Sequence, residues 1–535
     1  MVKSIFVNSL TKNIYDGKIY TEFDKKGNEK MKKVISPNMM KSYELELMEK
    51  GISSYELMKR VAEGAFKRIP ENSKVGIVCG TGNNAGDGFA LALLLTEAEV
   101  DVTIFLTKEM FTETSILYFN QCKEKNIKIE NIGNVRNLKG FDCIVDCIFG
   151  IGLSRHIKND CFVDAIGKIN KSGAYVISID INSGLNGNNG KVMGCCVMSD
   201  LTLSVGEYKA GHFLNDAKDY IGKLDNIDIG TNATTYYSLV EKNDIKRVFK
   251  ERKNNSNKGT YGYCALIGGT IEYSGAVKLA NLSVSALKSG CGVVKLAVPK
   301  SISDGVMPYI LESTMYTLSD KDGHIIFVRE EIDKLLSGVN SVAVGMGMGK
   351  SEETYKVIKH ILSNYSINVI IDADGLNSIA EYGIDILKST KCSVILTPHP
   401  KEFERLFGVS VEEILESPIQ YVLDFSRKYN VTLLLKGPST IVCHNGEVYI
   451  SSSGCAGMAT AGSGDVLSGI ILGICSQNNE KSKMVLNAVA GAYINGLAGE
   501  MAQKDLGDVS MTSSDTVNCI PTVIEMIRGN YNPNR

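Results

Sequence analysis

The sequence predicts two doubly wound α/β domains, each a parallel sheet with helices on both faces. Three observations point there. Short β-rich runs alternate with helical stretches over most of the chain, the pattern of βαβ units. A polar stretch, "KERKNNSNKGTYG" (250–262), interrupts the alternation once, after which it restarts with new strands. At 535 residues the chain is too long for one ordinary core. No short tandem repeat is present, so the halves are two different domains and not solenoid units.

Taken in order, residues 1–33 are polar, Lys-rich and without periodicity, and read as a mobile N-terminal extension, with Met31 as an alternative start. Residues 40–69 read as a helix, a break at Gly51 and a second helix, with apolar residues at helical spacing. The runs "KVGIVC", "VDVTIFL", "FDCIVDCIFG", "AYVISIDI" and "DLTLSV" are the strands of a first domain over 34–238. "YCALIGG", "GVVKLAVP", "SVAVGMGMG", "NVIIDADGL", "CSVILTPHP" and "VTLLLKGPSTIV" are those of a second over 239–535.

Composition narrows the class. Hydrophobic residues make up 44% and charged residues 22%, as in a folded globular protein. A formal charge of -2 supplies no pull toward nucleic acid or anionic membrane, and neither partner is expected. No apolar run approaches the ~20 residues of a membrane helix. The 14 cysteines are scattered, without disulfide or zinc spacing, and Cys143 and Cys147 read as small core residues. A cytoplasmic location is expected.

The stretch "GTGNNAGDG" follows a strand and opens a helix, which makes an anion site. Gly80, Gly82 and Ala85 satisfy the dinucleotide pattern G-x-G-x-x-G/A, so a Rossmann-like three-layer α/β/α domain is the first reading. That pattern alone is weak, and plain helix capping by asparagine is the bland alternative. The polar residues carry more: Asn83, Asn84 and Asp87 offer hard oxygen ligands and directional hydrogen bonds. Two further strand ends present Asp146, and Asp180 with Ser183, where ligands bind in open α/β sheets. Asn84, Asp146 and Ser183 are oxygen donors that could share one monovalent cation, leaving Asp180 for proton transfer.

"GTGNNAGDG", "VDCIFGIGLSR" and "DINSGL" together resemble the NAD(P)H-hydrate epimerase domain, over about 34–229. The resemblance implies potassium held by Asn84, Asp146 and Ser183. It implies substrate contacts along Asn83, Asn84, Ala85, Gly86 and Asp87, and along Gly150, Ile151, Gly152, Leu153, Ser154, Arg155 and His156. Asp180 would be both a substrate contact and the acid/base. Departures are Ala85 for a glycine, which requires a negative φ, Asn182 for a proline, and "LMKRVA" with Lys59 and Arg60.

In the second half, "AGSGDVLSG" places Gly462 and Gly464 before an apolar helix, with Asp465 at its start. Glycine amides there can hold a transferring phosphoryl group, and the carboxylate can take a hydroxyl proton. A plain helix start is the bland alternative. The stretch resembles the G-A-G-D motif of ribokinase-like kinases. With "NKGTYG", "VGMGMGKS", "IIDADGLN", "LTPHPKEF" and "LLKGPSTIV", it resembles the ADP-dependent NAD(P)H-hydrate dehydratase, a ribokinase-like α/β domain, from about residue 238 onward. The resemblance implies nucleotide binding by Lys436, Gly437, Pro438, Ser439, Thr440 and Gly464. It puts the hydrated nicotinamide near Ala276, Gly349, His399 and Asp465, with Asp465 catalytic and kept ionised by the helix N-terminus.

The expected activity is therefore repair of hydrated NADH and NADPH. The R and S hydrates would be interconverted, and the S hydrate dehydrated with release of AMP and phosphate. ADP with magnesium would be co-substrate, and a homo-oligomer is expected. The competing readings are a ribokinase-like small-molecule kinase with an N-terminal nucleotide-binding module, a Rossmann oxidoreductase in the first half, and a first half that is a binding or oligomerisation module, as the "LMKRVA" departure allows.

Overall fold

The computed structural model describes residues 31–158, 161–249, 251–284, 288–478 and 480–531. Residues 1–30, most of the expected extension, lie outside the described residues. Lys32 and Lys33 do not belong to an extension: they open strand β1 (Lys32–Ile35).

The strands of the first half are β2 (Val75–Cys79), β3 (Val102–Leu106), β4 (Lys128–Asn131), β5 (Cys143–Cys147), β6 (Tyr175–Ile179), β7 (Ser199–Val205), β8 (Tyr208–Lys209), β9 (Ile221–Ile227) and β10 (Tyr237–Leu239). Seven of them form a sheet in the order β4-β3-β2-β5-β6-β7-β9, every pair parallel. β2, β3 and β5 are buried along their whole length, as strands covered on both faces must be, which is why they read as unbroken apolar runs. Cys143 and Cys147 are buried core residues. The order reverses between β2 and β5, so the chain makes its crevice beyond their carboxyl ends.

The second half adds β11 (Tyr263–Ile267), β12 (Val293–Pro299), β13 (Thr314–Leu318), β14 (Asp320–Lys321), β15 (His324–Ile325), β16 (Ser341–Val344), β17 (Asn368–Ile371), β18 (Ser393–Leu396), β19 (Thr432–Leu435), β20 (Thr440–His444) and β21 (Glu447–Ser451). Its sheet runs β13-β12-β11-β16-β17-β18-β19-β20-β21 and then continues through β10, β1 and β8. The parallel part reverses order between β11 and β16, a second switch point.

The two halves therefore share a sheet. β10 pairs in parallel with β21, β1 is antiparallel to β10, and β8 is parallel to β1. One apolar cluster contains Val34, Tyr208, Phe213, Leu214 and Leu239 together with Leu435, Ile441 and Ile450. The expected boundary at 238/239 falls inside β10. Val240, Ile245 and Val248 pack with Cys264 and Ile474, so 240–248 belongs to the second core. Residues 251–257 form the exposed loop that the polar composition suggests.

Phe213 is 5% exposed at this seam. Phe213→Ala should cost about 3–5 kcal/mol of stability. Thermal unfolding should show the loss in both halves together; a shift confined to one of two separate transitions would contradict a shared core.

Candidate active sites

The first crevice gathers the loops after β2, β5 and β6. The helix Asn83–Glu97 is capped by Gly82 with no side-chain bond to its amides, so the asparagines do not serve as caps. Asn84 is buried, its amide donates to the Ile179 carbonyl, and its Oδ1 has no partner among the described residues. A buried carbonyl oxygen without a donor is costly, and a cation would satisfy it.

Asp146 is fully buried at the end of β5. It accepts from Ser183 Oγ at 2.6 Å, Ser183 N at 2.9 Å, Ser178 Oγ at 2.9 Å and Ile148 N at 3.2 Å. Burial pushes its pKa up, and these hydrogen bonds pull against the rise. Ser183 Oγ also accepts from Phe149 N at 2.8 Å. Asp146 and Ser183 are thus brought together by direct hydrogen bonds, while Asn84 is tied to the end of β6 through the Ile179 carbonyl.

Asp180 follows β6 with φ +69°, a left-handed conformation that costs a non-glycine residue energy. Four bonds hold it there. Its N–H donates to Leu203 O at 2.8 Å, and its carbonyl lies 2.8 Å from His212 Nε2. Oδ2 accepts from Ile151 N at 2.8 Å, and Oδ1 pairs with Lys209 Nζ at 2.7 Å. A Cβ at Gly150 would stand 2.6 Å from Oδ2, so that loop needs its glycine. Burial raises the Asp87 pKa well above its ordinary value, with the Asp180 and Glu44 charges adding to the rise.

The remaining residues of these motifs divide. Asn83 is exposed and accepts from Thr112. Gly152, Ser154, Arg155 and His156 are exposed along the loop after β5, with Leu153 half-buried. Ala85 is fully buried, and a Cβ at Gly86 would lie 2.6 Å from Met58 Sδ, so both sit in close packing at the start of the helix. Ala85 has no positive φ, as the departure from glycine requires. Asn182 replaces the proline as a buried hub, donating to Val197 O, Ser199 Oγ and Tyr220 O. Arg60 donates to Ile229 O at 2.8 Å and so ties its helix to the end of the sheet.

The second crevice lies beyond β16, β17, β18 and β19. Lys436, just after β19, places Nζ 2.9 Å from Asp372 Oδ1 and 3.7 Å from Glu402 Oε2. Burial works against its charge, but Asp372 and Glu402 outweigh that and its pKa is raised. Ser468 Oγ donates to Asp372 Oδ2 at 2.7 Å. A Cβ at Gly464 would be 3.3 Å from Lys436 Nζ, so the glycine turn faces the same ammonium. Gly349 N donates to Asp374 Oδ2 at 2.9 Å, and Ala276 abuts Gly347 in the neighbouring loop. His399 caps the helix Pro400–Phe407, Nδ1 accepting from Lys401 N and Glu402 N. Its pKa is lowered by burial and by Lys436, so Nε2 carries the proton at neutral pH and can donate to a ligand.

Asp465 sits in the first turn of the helix Ser463–Gln477, whose cap is Gly462 at φ +92° with no side-chain bond. It has no hydrogen-bond partner among the described residues. The expectation that the helix end keeps it ionised fails: burial, then the Asp372 charge, raise its pKa to about 7 despite Lys436. The charges of Asp374 and Glu402 add smaller contributions to the rise. The side chain of Ser439 is buried and its hydroxyl proton is used on Phe213 O at 2.6 Å, across the seam between the halves. Gly437 and Pro438 are exposed, and Thr440 is half-buried.

Sequence reasoning passed over Lys209, His212, Asp372, Glu402 and Ser468. Asp372 and Glu402 stood inside motifs already quoted. Lys209 had no signal beyond an isolated lysine after a strand.

Fold and sites together define an α/β enzyme with two crevices, one at the carboxyl ends of the parallel strands of each large sheet, the second carrying a glycine turn beside Lys436. A family model described as NAD(P)H-hydrate dehydratase matches residues 264–522, and one described as YjeF-related protein N-terminus matches 46–211. The bifunctional NAD(P)H-hydrate repair enzyme of Coxiella burnetii is 32% identical over 88% of this chain and 94% of its own. That of Dictyoglomus turgidum is 32% identical over 93% and 99%. A crystal structure of the ADP/ATP-dependent NAD(P)H-hydrate dehydratase from Bacillus subtilis with ATP and Mg2+ is 26% identical. It covers 54% of this chain and 97% of its own, with TM-score 0.46. The chain belongs to the bifunctional NAD(P)H-hydrate repair enzyme family.

The raised Asp465 carboxyl has a consequence for stability. The folded state holds its proton up to about pH 7, whereas the unfolded chain releases it near 3.8. Stability therefore falls as pH rises through that window, and the full cost of the buried charge is present above it. Asp465→Asn should raise the melting temperature little at pH 4, increasingly up to pH 7, and by a constant amount above. Calorimetry across this range checks it; an equal gain at all pH values, or a loss at pH 8, would contradict the assignment.

Proposed function

We propose that the chain repairs hydrated NADH and NADPH in two steps, interconverting the R and S hydrates in the first crevice and dehydrating the S hydrate in the second. Residues 34–238 carry the first step and 239–535 the second, with the division falling within β10. The observation that carries this reading is Asp465. It is a carboxyl with no protein partner and a pKa near 7, beside glycine amides at a helix N-terminus. A base poised near working pH combines availability with proton affinity.

In dehydration, Asp465 takes the proton of the substrate hydroxyl as its oxygen bonds to the terminal phosphorus of ADP and AMP departs. The Gly462–Gly464 amides and Lys436 hold the phosphoryl charge. The ring nitrogen then expels phosphate, and loss of a proton from the neighbouring carbon restores the double bond. Magnesium bound with the nucleotide would supply further neutralisation of the phosphate charge. Asp372 and Glu402 keep Lys436 in place. Gly437, Pro438 and Thr440 line the nucleotide side, and Ala276, Gly349 and His399 the nicotinamide side.

In epimerisation, Asp180 moves protons on the hydrate while Asn83, Asp87 and the Gly150–His156 loop hold it. Asn84, Asp146 and Ser183 would hold potassium, and the orphaned Asn84 Oδ1 fits that role. Among the described residues no helix is long and apolar enough to cross a membrane, and all 14 cysteines are free thiols, which supports a cytoplasmic setting. Exposed Met307, Tyr309 and Leu311 would suit burial against a second copy.

Purified hydrates incubated with ADP and magnesium test the reading by recovery of reduced-cofactor absorbance. S hydrate should be consumed with one phosphate released per cofactor, and R hydrate more slowly when potassium is withheld. Asp465→Asn should lower turnover by about 10²- to 10⁴-fold. A phosphorylated product without absorbance recovery would make the protein a kinase instead.

A further inference from the structure

Lys209 lies outside every motif quoted from the sequence, yet its side chain, like that of Asp146, is fully buried in the first crevice. An ammonium carries three hydrogens. Those of Lys209 go to Asp180 Oδ1 at 2.7 Å, Val205 O at 2.7 Å and Ser204 Oγ at 3.5 Å. None is left for a substrate. Whatever Lys209 does for the reaction, it does through Asp180.

His212 completes the arrangement from the same segment. Its Nδ1 accepts from Lys209 N at 3.1 Å, so the ring proton is on Nε2 and is donated to the Asp180 carbonyl. Burial and the Lys209 charge push its pKa down to about 4, and the ring is neutral at working pH. One hexapeptide, Tyr208–Phe213, thus grips Asp180 by both backbone and carboxylate and keeps it in its left-handed turn. The groups that face Asp180 are Glu44 from the helix Pro37–Glu49, Asp87 from the helix Asn83–Glu97, Lys209 and His212. Of the three carboxyls only Asp180 touches the ammonium; Glu44 feels its charge, and Asp87 feels the other two carboxylates.

We propose that Lys209 is the positioning residue of the epimerisation step. It aims the Asp180 carboxylate and singles it out from Glu44 and Asp87 as the anionic proton acceptor, while His212 fixes its backbone. The proposal rests on the reading of Asp180 as the acid/base. A buried ion pair kept only for folding would explain the short contact. It would not explain why the pair fixes a strained residue at the ligand end of the sheet, among two further carboxyls.

The test uses the full chain and purified R hydrate, with the pH profile of epimerisation as the diagnostic readout. Dehydration of purified S hydrate by the same preparation reports that the chain is folded. Asp180→Asn should abolish epimerisation; if it does not, the reading of Asp180 fails, independently of Lys209. Lys209→Met keeps the length and removes the charge. Its acid limb should move up by about 1–3 pH units, the usual effect of losing an opposite charge beside a carboxylate. Its kcat should fall with KM little changed. An acid limb at the wild-type pH would overturn the proposal. Lys209→Arg keeps the charge and loses the fit, so its limb should stay in place while kcat falls. If Lys209→Met does not fold, Lys209→Arg decides: wild-type kcat, or a displaced limb, would overturn the proposal.

Discussion

The structure depends on one strand that is hydrogen-bonded on both sides. β1, only four residues long, lies antiparallel to β10 and parallel to β8. Through it the parallel sheet of the second half continues into a segment that otherwise belongs to the first. A central strand gains its stability from neighbours on both edges and from burial on both faces, and Val34 and Ile35 are fully buried. Without β1, β8 would have no partner in that sheet and β10 would become an exposed edge.

This constraint reaches both sites. β8 carries Lys209, so the carboxylate assigned to epimerisation is held by the last strand of the sheet assigned to dehydration. Polar bonds follow the same seam: Ser439 to Phe213, Asn215 to Leu415 and Lys191 to Glu416. Each crevice also sets its acid–base state by crowding carboxyls around one ammonium, Lys209 in the first and Lys436 in the second. In each, one carboxyl pairs directly with the ammonium, and a neighbour, Asp87 or Asp465, has its pKa raised. Environments that drive neighbouring carboxyls apart are what acid–base division of labour requires.

Much of this was legible from residues alone. Buried parallel strands such as "VGIVC" announce themselves as apolar runs, and turns such as "GTGNNAGDG" and "AGSGDVL" mark the strand ends where ligands sit. The seam was not legible, because three-residue and four-residue strands carry too little pattern to register, and because β8 pairs with a strand 173 or more positions away in sequence. The state of Asp465 was misjudged for a related reason. Its own helix is visible in the sequence, whereas Asp372, Asp374 and Glu402 arrive from other loops. The contact of Ser439 was not legible either, because its partner Phe213 comes from the other half of the chain.

The claim that the twelve-stranded sheet ties the two halves into one folding unit through β1 is tested most directly by native-state hydrogen exchange at the amides of Val34 and Ile35. The account predicts that they exchange only by global unfolding, at the same free energy as the slowest amides of β2 and β11. Exchange of Val34 and Ile35 through a smaller opening, with β2 and β11 still protected, would contradict it.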